Sequence, residues 1–135
     1  MISRYSRAVE TVATEDILLI AEAVLDAPAE RLARVINTPA LESALAAPFM
    51  GFGDVEFYPD FHVKAAILCS RIVRNHPLPD GNKRTAYLAM LTFIGANGRS
   101  WAVGDQDEIA DTIERLAARE ITEDDFAAWV AKRLS

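Results

Sequence analysis

The sequence predicts an all-α protein: a compact, single-domain helical bundle with one short β-hairpin flap. Apolar residues recur at helical spacing along nearly the whole chain of 135 residues. That length suits one domain, and no linker, internal repeat or low-complexity tract divides it, so residues 1–135 are interpreted as one unit. Only the segment from Met50 to Tyr58 mixes glycine with aromatic and β-branched residues in the manner of a hairpin.

The N-terminal third is predicted to hold three helices. From Ile17 to Leu25 the apolar residues fall on one helical face, and Thr14 is placed to cap the start of that helix. A shorter helix is predicted over Ala29–Ile36. Thr38 is then expected to be the N-cap of a third helix whose first helical position is a proline.

The C-terminal part is predicted to contain four more helices. Phe61–Val73 and Ala86–Ile94 are apolar almost all the way round, which is typical of helices in the middle of a bundle. Two amphipathic helices follow, one over Ile109–Ala117 and one that begins at a Thr122 cap.

Charge and composition narrow the functional class. The chain has 20 acidic and 14 basic residues, a formal charge of −6, which disfavours direct binding to nucleic acid or to an anionic membrane. No apolar run approaches the roughly 20 residues of a membrane span, and the segment before Thr14 lacks the apolar stretch of a secretory signal. The single cysteine, Cys69, cannot form an internal disulfide and is expected to be an inert core residue. We therefore expect a cytoplasmic protein.

The chemistry-bearing segment is the polar stretch between the two central helices, residues 74–85. Gly81 can adopt backbone angles that turn its own amide and those of Asn82 and Lys83 into one concavity at a helix N-terminus, which would bind an anion. Lys83 and Arg84 add a point charge and a planar fork suited to a polyphosphate.

Two further residues of this segment point to catalysis. Asp80 would repel a phosphate directly, but it is useful there if Mg²⁺ bridges it to phosphate oxygens. His76 is close enough in sequence to act as a proton acceptor at the same place. Because a Pro-Asp-Gly-Asn stretch is also a common exposed turn, the spacing alone leaves an anion site and a plain turn open.

Residues 76–84, HPLPDGNKR, resemble the Fic/Doc family motif H-x-F-x-[DA]-G-N-[GK]-R, and the similarity extends over about residues 41–134. The resemblance implies a Fic/Doc-like helical domain that transfers a nucleotide-derived group to a protein hydroxyl. AMP-transferring members usually have glycine at the position of Lys83 and a second arginine at that of Tyr87. At both positions this chain resembles the Doc, or "death on curing", branch. Its members are toxins of toxin–antitoxin pairs and transfer the γ-phosphoryl group of ATP.

The resemblance also implies a role for each residue of the motif and of the flap. These roles are a base for the target hydroxyl (His76), an anchor in the core where the family has phenylalanine (Leu78), a Mg²⁺ ligand (Asp80), an ATP phosphate site (Gly81, Asn82, Lys83, Arg84) and a target-docking flap (Val55, Glu56, Phe57, Tyr58). We therefore predict a phosphotransferase acting on a serine or threonine of a protein, with ATP and Mg²⁺ as cofactors. A translation elongation factor is the target class that the family implies.

The expected regulator is a cognate antitoxin that supplies an inhibitory helix in trans. Residues 11–16 come close to the family's inhibitory motif [ST]-x-x-x-E-[GN], but they end in Asp16, and we interpret the match as chance. The antitoxin would need an open apolar groove lined by the N-terminal helices. Arg71 and Arg74 either form a solvated face or extend the cationic rim of the site, and we favour the rim. The alternatives are a Fic-type AMP transferase and a non-catalytic, antitoxin-binding member.

Overall fold

A computed structural model describes residues 9–135, and in that part of the chain the all-α prediction is confirmed. The described helices are α1 (Thr14–Leu25), α2 (Ala29–Val35), α3 (Thr38–Ala46), α4 (Phe61–Asn75), α5 (Asn82–Ala96), α6 (Gln106–Ala117) and α7 (Glu123–Arg133). A 3₁₀ turn over Ala47–Phe49 precedes the hairpin of β1 (Gly51–Phe52) and β2 (Val55–Glu56). The expected absence of a secretory signal concerns the first residues of the chain, and residues 1–8 lie outside the described part.

Helices α4 and α5 form the centre of the bundle, as their all-round apolar pattern predicts. They pack on each other, and α3, α6 and α7 pack around α4 while α1 covers α5. The largest side chains of the core, Phe93 and Phe126, are fully buried. Cys69 is also fully buried, which confirms its predicted place in the core, and desolvation by burial raises the pKa of its thiol and disfavours the reactive thiolate. No helix among those described is both long and apolar enough to cross a bilayer.

Two predicted helix caps are wrong, because both helices begin one residue earlier than predicted. Ala13 is the residue before α1, and its N–H donates to the Asp16 carboxylate at 2.9 Å, so Thr14 is the first helical residue. Asn37 caps α3, because its Oδ1 accepts the Ala40 N–H at 3.1 Å and Thr38 already lies in the helix. The Thr122 cap of α7 is confirmed by its reciprocal hydrogen bonds with Asp125.

The flap is an antiparallel hairpin that is anchored to α4. Gly51 pairs with Glu56 and Phe52 with Val55, and all four residues are exposed. The Lys64 ammonium group, on the first turns of α4, is almost fully buried and donates to Glu56 Oε1 at 2.7 Å and to the Pro48 carbonyl at 3.2 Å. This buried charge fixes the base of the flap against the helix that leads to the candidate site.

Candidate active site

The loop between α4 and α5 is held at both ends by left-handed residues. His76 ends α4 with φ +51°, and its N–H donates to the Ile72 carbonyl at 3.2 Å. Gly81 precedes α5 with φ +74°, a conformation in which a Cβ is unfavourable. The Pro77 carbonyl accepts the Asn37 N–H at 2.8 Å, which joins the loop to the start of α3.

Leu78 anchors this loop in the core. The side chain is 2% exposed and packs with Ala21 and Leu32 in a small apolar cluster between α1 and α2. Leucine is therefore buried at the position where the family motif has phenylalanine.

The Asn82 side chain makes contacts that the sequence reasoning missed. It is 6% exposed; its Oδ1 accepts the Leu78 N–H at 2.9 Å and its Nδ2 donates to the Leu78 carbonyl at 2.9 Å. The same Nδ2 lies 3.0 Å from His76 Nδ1. The amide thus organises the loop, and any phosphate contact of Asn82 would be made by its main chain.

The start of α5 presents free amides, although not the three that were expected. The first donor inside the helix is the Thr85 N–H, which bonds the Gly81 carbonyl at 2.9 Å, so the N–H groups of Asn82, Lys83 and Arg84 have no intrahelical acceptor. The Gly81 N–H instead donates to Asp80 Oδ1 at 2.8 Å. The free amides therefore lie one residue further along the chain than the sequence predicts.

The two cations of the motif differ in their contacts. Lys83 Nζ lies 2.6 Å from Glu114 Oε1 of α6, and both side chains are about half exposed or more, at 48% and 62%. An exposed pair of this kind is worth about 0–1 kcal/mol, so a phosphate can compete for Lys83. Arg84 is exposed and forms no ion pair with any residue of the described part.

One cleft of about 340 Å³ brings the predicted catalytic and phosphate residues together. Its lining consists of Val73, His76, Asp80, Gly81, Asn82, Lys83, Arg84 and Ala117. Asp80 is exposed, and its Oδ2 has no hydrogen bond within the described chain. No group of three or more possible metal ligands occurs in residues 9–135. A single carboxylate with a free oxygen beside a phosphate cradle fits Mg²⁺, which is commonly held by one or two carboxylates together with substrate phosphates.

The prediction that Arg71 and Arg74 extend the cationic rim is wrong, because both bind Glu123 at the start of α7. Arg71 Nε lies 2.9 Å and Arg74 NH1 3.4 Å from Glu123 Oε2, and the Ser70 hydroxyl donates to the same oxygen at 2.6 Å. Burial alone would raise the pKa of Glu123, but the hydrogen bonds from Arg71 and Ser70 lower it below its ordinary value. The spacing of the two arginines places them on one face of α4, but it does not reveal an acidic partner about 50 residues away.

This cluster also reaches the flap. Arg71 NH2 donates to the Tyr58 hydroxyl at 3.1 Å, just after the hairpin. The flap is therefore attached to α4 at two points, through Tyr58 here and through Lys64 near its base.

A second cavity of about 450 Å³ adjoins the cleft and shares Lys83 and Arg84 with it. The remaining lining is mainly apolar and consists of Val24, Tyr87, Leu88, Gln106, Ile109, Ala110, Ile113 and Glu114. The expected apolar groove beside the motif is present, but its walls are α5 and α6, and Val24 is its only lining residue from the N-terminal helices as described.

The near match to an inhibitory motif lies at the far end of α1 from the cleft. Glu15 is exposed in the first turn of that helix, whereas Val24 and Leu25, near its end, pack against Gly81. Nine residues of α-helix span about 13 Å. Glu15 is therefore placed away from the motif.

Comparison with known proteins defines the class to which this fold and site belong. Residues 11–94 match the Fic/DOC family, and the chain belongs to that family. Toxin Doc from Mycolicibacterium smegmatis is 40% identical over 92 residues, which cover 67% of this chain and 71% of the relative. No solved structure is significantly similar.

Proposed function

We propose that this protein is a Doc-type toxin that transfers the γ-phosphoryl group of ATP to a serine or threonine hydroxyl of a target protein. The observation that carries the proposal is the single cleft in which His76 and Asp80 face the free amides and cations at the start of α5. The similarity to a relative named Toxin Doc supports the Doc-toxin part of this proposal.

In this proposal the chain contributes position and charge. The amides of residues 82–84, with Lys83 and Arg84, bind the phosphates of ATP and stabilise the charge of the transferring group. Asp80 would hold Mg²⁺, which neutralises phosphate charge when bound. His76 accepts the proton of the target hydroxyl as its oxygen bonds to the γ-phosphorus; the bond from that phosphorus to the β–γ bridging oxygen breaks and ADP leaves.

Tyr87 favours phosphoryl transfer over AMP transfer. It stands where AMP-transferring members usually have a second arginine, and its hydroxyl accepts the Trp101 indole N–H at 2.9 Å. Burial raises the pKa of this hydroxyl, so it remains neutral at physiological pH. The motif side of the cleft therefore has Lys83 and Arg84 as its cations, in agreement with the Doc pattern.

The flap is the proposed docking site for the target. The apolar side chains of Phe52, Val55 and Phe57 are largely exposed there, and a short strand with a free edge can pair with an extended peptide. Glu56 would contribute only its main chain, because its carboxylate is bound to Lys64.

An antitoxin helix is the proposed occupant of the apolar cavity beside the motif. Such a helix would place its apolar face on Leu88 and Ile113 and a carboxylate near Arg84, blocking the adjoining phosphate site. A translation elongation factor, the target class implied by the family, would place the reaction in the cytoplasm.

The proposal is tested by expressing the chain without its antitoxin and analysing modified proteins by mass spectrometry. Wild type should arrest growth and add one phosphoryl group to a serine or threonine, whereas His76→Ala should lose about 10²–10⁴ in transfer rate. The matched control is His62→Ala, which removes the other histidine, on the first turn of α4. Addition of AMP would establish the AMP-transferase alternative. A harmless wild type that binds its antitoxin but modifies nothing would establish the non-catalytic one.

A further inference from the structure

The orientation of the Asn82 amide is fixed by the main chain of Leu78. Its Oδ1 accepts the Leu78 N–H and its Nδ2 donates to the Leu78 carbonyl, both at 2.9 Å. Exchanging the oxygen and nitrogen would place donor against donor and acceptor against acceptor. The amide therefore has one acceptable orientation.

That orientation places the Asn82 Nδ2 group, a hydrogen-bond donor, against the imidazole ring of His76. One hydrogen of Asn82 Nδ2 is used by the Leu78 carbonyl, and His76 Nδ1 lies 3.0 Å from the same nitrogen. A donor at this position requires a lone pair on Nδ1, so the neutral imidazole carries its proton on Nε2. We propose that Asn82 is a positioning residue that holds His76 in the Nε2–H tautomer. In the resting enzyme its Nδ2 donates to the lone pair on His76 Nδ1, so that this lone pair is not free to accept a proton.

The consequence for proton transfer is specific. Asn82 is buried, whereas His76 is exposed and its Nε2 has no hydrogen-bond partner in the described residues. The exposed side of the ring thus offers an N–H rather than a lone pair. The proton of the target hydroxyl can be accepted at Nδ1 directly, or at Nε2 after the ring proton has moved to Nδ1. Both routes produce an imidazolium. Both also require the hydrogen bond between Asn82 and His76 to break, because each places a proton on Nδ1. This catalytic meaning rests on the proposed transfer, while the tautomer itself does not.

The tautomer is measured by ¹⁵N-edited NMR of the histidine rings, at a pH where both rings are neutral. The chain contains two histidines, so His62 is an internal reference for His76. Wild type should show the proton of His76 on Nε2 and a coupling through the hydrogen bond between Asn82 Nδ2 and His76 Nδ1. In Asn82→Asp the new carboxylate accepts a hydrogen bond, so the proton should move to Nδ1.

The matched control is Asn75→Asp. Asn75 Nδ2 donates to the Ala40 carbonyl at 2.9 Å and makes no hydrogen bond to His76, so the His76 tautomer should stay unchanged. A wild-type proton on Nδ1, or no coupling between the two side chains, would overturn the proposal even if Asn82→Asp fails to fold. A folded Asn82→Asp with the wild-type tautomer would do so as well. Because these spectra need neither ATP nor target, a tautomer switch in a protein that transfers nothing would overturn the proposed function alone.

Discussion

Replacing Gly81 by alanine tests whether the phosphate loop depends on its contact with α1. At φ +74° an added Cβ costs about 1–2 kcal/mol in conformational energy. The same Cβ would lie 2.9 Å from Leu25 Cδ2 and 3.0 Å from Val24 Cγ1, so the end of α1 must move. Overpacking of this kind costs about 1–3 kcal/mol, and Gly81→Ala should therefore destabilise the fold by about 2–5 kcal/mol.

Gly98, just after the other end of α5, separates the two costs. It has a similar φ of +73°, but a Cβ there meets nothing within 4 Å, so Gly98→Ala should cost only the conformational part. Urea unfolding followed by the fluorescence of Trp101 and Trp129 gives both free energies of unfolding. Calorimetry should show weaker ATP binding for Gly81→Ala alone, because the amides at the start of α5 shift. Equal destabilisation by the two variants would refute the argument that α1 supports the loop by direct contact.

Three further changes test the anchor, the acidic cluster and the phosphate charge. Leu78→Ala should lower the free energy of unfolding by about 2–5 kcal/mol, since it empties a buried site; a loss in chemical denaturation no larger than that of an exposed leucine such as Leu19 would contradict this. Glu123→Gln should lower the free energy of unfolding by about 1–3 kcal/mol at pH 7. Because the folded-state pKa of Glu123 lies below its ordinary 4.5, this difference between wild type and variant is present above pH 4.5 and should vanish as the pH falls through the folded-state pKa. Curves of stability against pH that stay parallel in acid would contradict this. Arg84→Ala should weaken ATP binding or turnover by about 1–3 kcal/mol while exposed Arg31→Ala does not, and equal calorimetric and kinetic values for the two would remove Arg84 from the site.

The parts of the fold predicted correctly depend on local signals. The apolar central helices are each encoded in one continuous segment of 15 residues, and the Thr122 cap within a single helical turn. Thr14 and Thr38 are wrong as caps because each helix begins one residue earlier than the threonine suggests: Asp16 accepts the N–H of Ala13, the residue before α1, and Asn37 accepts the Ala40 N–H of α3. A pattern of residue types does not fix the helix start to one residue, because that depends on the geometry of the turn.

The parts of the site that escaped prediction depend on contacts between distant segments. Residue types placed Lys83 and Arg84 at a helix start, but Glu114, which pairs with Lys83, lies 31 positions further along the chain. Glu123, which binds Arg71 and Arg74 of α4, lies on α7, and the helices α5 and α6 separate the two in the chain. The two hydrogen bonds between the Asn82 amide and the main chain of Leu78, here called the Asn82 clasp, join residues only four positions apart. Their partners are main-chain atoms, however, and no pattern of side chains reveals such contacts.

The loop is held together by groups other than those proposed to act on ATP. Its supports are the Asn37 N–H on the Pro77 carbonyl, the buried Leu78 side chain, the Asn82 clasp and the packing of α1 on Gly81. Arg84 forms no ion pair in the described part of the chain, Asp80 adds one exposed hydrogen bond to the Gly81 N–H, and the exposed Lys83–Glu114 pair adds at most about 1 kcal/mol. Because buried residues define the geometry and exposed ones carry the charge, substitutions at Asp80 and Arg84 should alter nucleotide chemistry with little change in stability. Substitutions at Leu78 and Gly81 must alter both.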